Sequence, residues 1–248
     1  MKRFALVLVA VLAAGCGSQK GTDVAHVLGA RVQRCTNGEL LPLGSARTAY
    51  VGSAAHGAVV YRKPGGAVLT RFGAKNINGY PTVFGILGAT VRPNCTPVWY
   101  RVQVPLKPNG ETAFVRARAL VVETVPTRIV VDVSRRRLTL YRNGKPELTA
   151  TVAVGSPATP TPTGRYYVNQ RLVPTDTSGP FGPGAIGISA FSNVLTGWTQ
   201  GGPVAIHGTN EPWSIGHAVS NGCIRLPNST LQRVFRETLA GTPVIITP

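Results

Sequence analysis

Between Gly202 and Asn228 the chain reads GPVAIHGTNEPWSIGHAVSNGCIRLPN, which separates His207 from Cys223 by 223 − 207 = 16 positions. A thiol attacks an amide as its thiolate. An imidazole alongside accepts the proton, depresses the thiol pKa and later protonates the leaving amine. The run Val204-Ala205-Ile206 predicts a buried strand that delivers His207, and Ile224-Arg225-Leu226 predicts a second strand-like element starting just after Cys223. Gly208 and Gly222, each beside one of these residues, leave the backbone open for close approach of a substrate and of backbone donors. Ser220 is placed to bond the cysteine loop. Arg225 carries a planar fork suited either to a substrate carboxylate or to fixing that loop.

The other candidates in the region divide between chemistry and packing. Trp213 and Trp198 fit the lining of a groove and fit a core equally well. His217 reads as a solvated loop histidine, and His26 and His56 have no reactive neighbours in the sequence. His207, His217 and Cys223 are zinc-ligand types, but the chain has neither His-Glu-x-x-His nor paired Cys-x-x-Cys, so no metal is expected.

The elements that must position this pair read as follows. Pro126 marks a boundary, after which Ile129–Val133 and Leu138–Tyr141 predict strands; Asn143-Gly144 predicts a type I′ hairpin into Leu148–Val154. Ser156–Gly164 is a stiff Pro/Gly loop before a strand at Arg165–Val168. Pro174–Gly187 is a small-residue stretch that reads as a loop over a site. Asn228 is a plausible N-cap for a helix over Ser229–Ala240, with Leu231, Val234, Phe235 and Leu239 on one face and Gly241 at its C′ position; Thr242–Thr247 returns as a buried strand.

Residues 128–248 resemble the L,D-transpeptidase catalytic domain of the YkuD type. The likeness is carried by His207-Gly208, by Ser220-x-Gly222-Cys223-Ile224-Arg225, and by Ala153-Val154-Gly155 with Thr159–Gly164. It covers about Arg128–Pro248. Asn221 stands where many relatives have His, which leaves His207 as the base. The resemblance implies a β-sandwich or barrel with one substantial helix and no cofactor. It implies that Cys223 attacks the amide between a diamino acid and the terminal D-Ala of a peptidoglycan tetrapeptide stem. It gives His207 the role of general base and acid, the Gly208 carbonyl that of orienting the imidazole, and backbone N–H groups around Gly222 and Cys223 that of holding the oxyanion. A second stem's amine then takes the acyl group; water in its place would make a carboxypeptidase. Sortases also use Cys, His and Arg, but with a much longer His-to-Cys separation. The reading from a different class is a non-catalytic wall-binding lipoprotein, against which a free thiol in an oxidising space speaks.

Lys2 and Arg3 followed by apolar Phe4–Ala14 match an export signal, too short to span a bilayer, and Leu12-Ala13-Ala14-Gly15-Cys16 resembles a lipobox whose Cys16 is lipidated. The mature protein is therefore expected outside the cytoplasm, anchored in the membrane and facing the wall. Removing Cys16 from the four cysteines leaves three; Cys35 and Cys95 are expected to pair, with Cys223 free. Residues 17–43 read as a tether. Residues 44–125 read as a small β module of short apolar runs and turns, resembling a bacterial SH3-like domain at Trp99–Val102 and Ala113–Val115.

Composition sets the outer limits. The chain has 248 residues, 26 Lys+Arg against 9 Asp+Glu, a net charge of +17, 29 Gly and 20 Pro, which disfavours helical bundles and favours a mainly β protein. The charge is spread: residues 17–127 carry 13 basic and 4 acidic groups, and residues 128–248 carry 11 and 5. Nucleic acid is a poor partner for an exported protein. Anionic wall polymers or lipid headgroups suit the charge, as does a merely solvated basic surface, and the Arg135-Arg136-Arg137 run reads as a hairpin tip. The protein is expected to act as a monomer.

Overall fold

The computed structural model describes residues 34–195 and 197–248. The export signal, Cys16 and the stretch up to residue 33 lie outside the described residues. Two β units follow one another. The first contains β1 (Leu40–Pro42), β2 (Ala49–Ser53), β3 (Ala58–Tyr61), β4 (Val68–Phe72), β5 (Val83–Val91), β6 (Pro97–Gln103), β7 (Thr112–Arg116) and β8 (Val121–Val125). They form one antiparallel sheet in the order β4-β3-β7-β6-β5-β2-β8, with β1 also on β5. Alternating side chains bury Val60, Phe84, Val102 and Val115 in its core.

The tether expected over 17–43 ends earlier than that. Cys35 N–H donates to Pro93 O and Gly38 N–H to Val91 O, Leu40–Pro42 pairs with β5, and Cys35 is bonded to Cys95 with 5.2 Å between their Cα atoms. Among the described residues the first unit therefore reaches back to Cys35: the disulfide and the β1 ladder hold residues whose polar composition alone reads as linker.

Only Pro126 separates β8 from the second unit, which comprises β9 (Thr127–Asp132), β10 (Arg137–Arg142), β11 (Lys145–Thr151), β12 (Val154–Gly155), β13 (Gly164–Leu172), β14 (Ala185–Phe191), β15 (Pro203–His207), β16 (Ala218–Ser220), β17 (Ile224–Arg225), α1 (Asn228–Glu237) and β18 (Pro243–Thr247). Eight strands run in the order β11-β10-β9-β18-β13-β14-β15-β17, and β12 pairs with β16. The pairs β9/β18 and β15/β17 are parallel. Positive φ at both Asn143 (50°) and Gly144 (80°) makes the β10–β11 turn the expected I′ type. Inward residues of the strands, with Leu231 and Val234 of α1, fill a single core.

The helix differs from its expected limits. It ends at Glu237, not Ala240: Thr238 turns extended and fully buried, its hydroxyl donates to Val234 O at 2.8 Å, and Leu239 falls outside the helix and is exposed. Asn228 makes no side-chain cap. Gly241 (φ 85°) closes the following turn, where a Cβ would lie 2.3 Å from Val51 Cβ of the first unit. The units meet there and at a small apolar cluster of Val51, Val83, Val125 and Tyr167, the Tyr167 hydroxyl donating to Val83 O at 3.0 Å. Asn109, in the turn between β6 and β7, clasps the backbone of Phe191: Nδ2 donates to its carbonyl at 2.7 Å and Oδ1 accepts its N–H at 2.9 Å.

Candidate active site

On β14 and β15 the inward set is Ile186, Ile188, Val204 and Ile206. Because successive side chains alternate, Ala185, Gly187, Pro203, Ala205 and His207 share the outward face. β17 lies parallel to β15 with Ile224 opposite Ile206 and Arg225 opposite His207, so Cys223 stands level with Ala205. The sulfur accepts the Ala205 N–H at 3.4 Å. His207 is two residues further along β15, its side chain on the same face, which makes thiol and imidazole diagonal neighbours across the two strands.

The imidazole is buried (4% exposed), and its Nδ1 meets Gly208 O at 2.5 Å. A carbonyl can only accept, so Nδ1 carries the hydrogen and Nε2 keeps the lone pair of a base. Burial lowers its pKa from 6.5 to about 4, with the Arg225 charge adding to the fall and the Gly208 carbonyl opposing it. The thiol is pushed the other way: burial raises its pKa above the ordinary value, against smaller downward pulls from the Ala205 N–H and Arg225. The resting pair is therefore neutral thiol and neutral imidazole. The depressed thiol pKa expected from the imidazole's presence is not what the site shows, because loss of water outweighs the pulls of the Ala205 N–H and the Arg225 charge.

The loop before Cys223 is held from within. Ser220 Oγ donates to Cys223 O at 2.5 Å and accepts the Gly222 N–H at 3.1 Å, and Gly222 sits at φ 105°. Since Gly222 N–H is taken by Ser220, it is not a spare donor for an oxyanion. The Thr159 hydroxyl donates to Ser220 O at 2.9 Å, and Thr161 Oγ1 accepts the Gly155 N–H at 2.8 Å, so the 156–163 loop buttresses the cysteine loop from behind. Gly155 must be glycine, since a Cβ would fall 2.3 Å from Thr159 O.

Arg225 Nη1 is ion-paired with Glu211 Oε2, and the Arg225 side chain is only 19% exposed. Of its two expected uses the structure shows the second, tying the cysteine strand to the loop after His207. Trp213 (63% exposed) and Trp198 (53% exposed) are outside any core. His217 is exposed, and no group of three or more metal-ligating side chains occurs among the described residues.

Three contributors escape a reading of the sequence. Phe181, in the expected loop over the site, stands edge-on to His207 with centroids 5.0 Å apart. Asn228 Oδ1 accepts the Thr209 N–H at 2.8 Å, pinning the segment whose carbonyl sets the imidazole tautomer. Glu211 had a legible signal, being the single acidic residue between His207 and Arg225. Neither Phe181 nor the Asn228 contact has one.

A family model described as the L,D-transpeptidase catalytic domain, YkuD, matches residues 126–246. "Putative L,D-transpeptidase YkuD" of Bacillus licheniformis is 38% identical over 126 residues, covering 51% of this chain and 68% of that protein. The protein of the same name in Bacillus subtilis strain 168 is 38% identical over 123 residues, covering 50% and 67%. Among solved structures, an L,D-transpeptidase from Mycobacterium smegmatis aligns with a TM-score of 0.43 at 16% identity, over 85% of this chain and 100% of that one.

Proposed function

The chain belongs to the YkuD family of L,D-transpeptidase catalytic domains, and from that premise we propose that it is a cysteine acyltransferase of the bacterial wall, working on peptidoglycan stem peptides. His207 Nε2 takes the proton of the Cys223 thiol as the sulfur attacks the carbonyl between the stem's diamino acid and its terminal D-Ala. The Cys223 N–H, at the end of the loop fixed by Ser220, faces the developing oxyanion. The intermediate collapses to a thioester, and D-Ala leaves as an amine carrying the proton from His207. The amine of a second stem attacks the thioester, gives its proton to His207, and the thiol is restored. One observation carries this reading: a strand-end cysteine stands diagonal to a histidine whose Nδ1 is locked on a backbone carbonyl, leaving Nε2 basic.

A neutral resting pair fits a thiol that must survive outside the cytoplasm, because the thiolate appears only during attack. We place the protein there, anchored through a lipidated Cys16, with the wall as partner; the net charge of +17 and the SH3-like residues of the first unit support a wall-facing role. The test is intact-mass spectrometry on the chain without residues 1–16, incubated with a disaccharide-tetrapeptide beside the Cys223→Ala variant. An adduct of donor minus D-Ala, absent from the variant, with dimers joined through the diamino acids, is the expected result. Adduct with only a shortened monomeric product would make it a carboxypeptidase. A folded protein giving neither adduct nor D-Ala would be a wall-binding protein.

A further inference from the structure

The outward face of the catalytic sheet has two approaches to Cys223. Phe181 stands on one of them, against His207. On the other, Pro203 lies two residues before Ala205, whose N–H meets the sulfur, so the face there ends about 7 Å from the nucleophile. It meets the segment Arg71–Asn78 of the first unit across a cavity of about 420 Å³, floored by β13, Phe191 and Pro203.

The chemistry of this cavity is specific. Asn76 Nδ2 and Asn78 Nδ2 both donate to Gln170 Oε1, at 2.9 and 3.0 Å, and Gln200 Nε2 donates to Asn78 Oδ1 at 3.1 Å. Beside this amide cluster, Asn169 Oδ1 is shielded from water and has no hydrogen-bond partner. A buried acceptor left without a donor is costly, and rotation of the Asn169 amide into the cavity lets a ligand N–H remove the cost. Gln170 lies flat over β14 because position 187 is glycine: a Cβ there would fall 2.5 Å from Gln170 Cγ. Arg71 and Lys75 are exposed at the rim, and the lining holds no acidic residue. Phe72 packs edge-on to Phe84 and Phe191 lies under Lys107, so neither offers the open ring face on which a sugar stacks. Nor does the contact between the units need the opening, since Tyr167, Asn109 and Gly241 already join them.

We propose that this groove is a peptide subsite and that the first unit is part of the substrate-binding machinery. An extended stem peptide runs from the Arg71–Asn78 segment across β13 and β14 toward Cys223. Its amides exchange hydrogen bonds with Asn169 and the Asn78–Gln170 cluster, and its carboxylates meet Arg71 and Lys75. The inference rests on the transpeptidase reading and adds to it which surface reads the peptide.

The test uses the chain without residues 1–16, disaccharide-tetrapeptide as substrate, and the variants Arg71→Glu with Lys75→Glu, and Asn169→Leu. The two basic residues are exposed, so their reversal leaves the fold intact. Alkylation of Cys223 by iodoacetamide, a reagent too small to need the groove, checks that the nucleophile is unaltered. The expected result is a rise in KM of roughly tenfold for each variant, with kcat and the alkylation rate within about twofold of wild type. Wild-type turnover with both variants unchanged in kcat/KM overturns the subsite and leaves the transpeptidase standing. A wild-type protein that forms no adduct and releases no D-Ala overturns the transpeptidase reading, and the subsite with it.

Discussion

Lowering the pH should destabilise this protein chiefly through one residue. His207 titrates at 6.5 when unfolded and at about 4 in the fold, chiefly because it is buried. Between those values the unfolded chain holds a proton that the folded one refuses, so stability is complete above pH 6.5 and falls as the pH drops. A displacement of about 2.5 pH units is worth ~3.4 kcal/mol when fully expressed, and the part lost between pH 7 and pH 4.5 is ~2.4 kcal/mol. At 4% exposure the imidazole gets no relief from solvent. The carboxylates with lowered pKa, Asp132 and Asp176, start from 3.8 and titrate below this window. The assay is urea unfolding at pH 7 and pH 4.5 for the wild type and His207→Gln. Glutamine shifts both curves by one constant amount, since it does not titrate. The wild type should lose ~2 kcal/mol more than the variant on acidification, a difference of about 1 M in urea midpoint. Parallel losses in the two proteins would refute the assignment of a neutral buried imidazole.

Three further outcomes follow from the same contacts. Ser220→Ala strands the Gly222 N–H and the Cys223 carbonyl and should cost about 1–3 kcal/mol by chemical denaturation, with a slower alkylation of Cys223. Gly241→Ala puts a side chain at φ 85° and against Val51, and should cost about 3 kcal/mol, read as a lowered Tm. Asn228→Ala frees the Thr209 N–H, so the pH dependence of kcat should change more than KM as the Gly208 carbonyl loses its grip on the imidazole; an unchanged pH profile would show that Asn228 does not position it.

Much of the site was written in local sequence. Alternation and turn chemistry placed the strands around His207 and Cys223 and the I′ hairpin at Asn143-Gly144, because those signals act within a few residues. The Cys35–Cys95 bond was legible from cysteine arithmetic, but the start of the first unit was not, since the β1 pairing with β5 is long-range. Helix periodicity carried the expected end of α1 to Ala240, and it failed there because Thr238 is drawn into the core. The sign of the thiol's pKa shift was missed for a similar reason. A neighbouring imidazole can be read from spacing, but the exclusion of water depends on which strands close over the sulfur.

The position of β18 has a consequence for how the protein comes into being. It is the latest of the strands in the chain, yet it lies between β9, the first of its unit, and β13. Under the export proposed above, the chain crosses the membrane from its N-terminal side onward, so the first unit can fold and join Cys35 to Cys95 while Cys223 is still inside. The reactive sulfur then arrives after its two possible mispairing partners are already occupied. The sheet beneath it closes only when Pro243–Thr247 slots into the gap, so an incompletely translocated chain carries no assembled nucleophile.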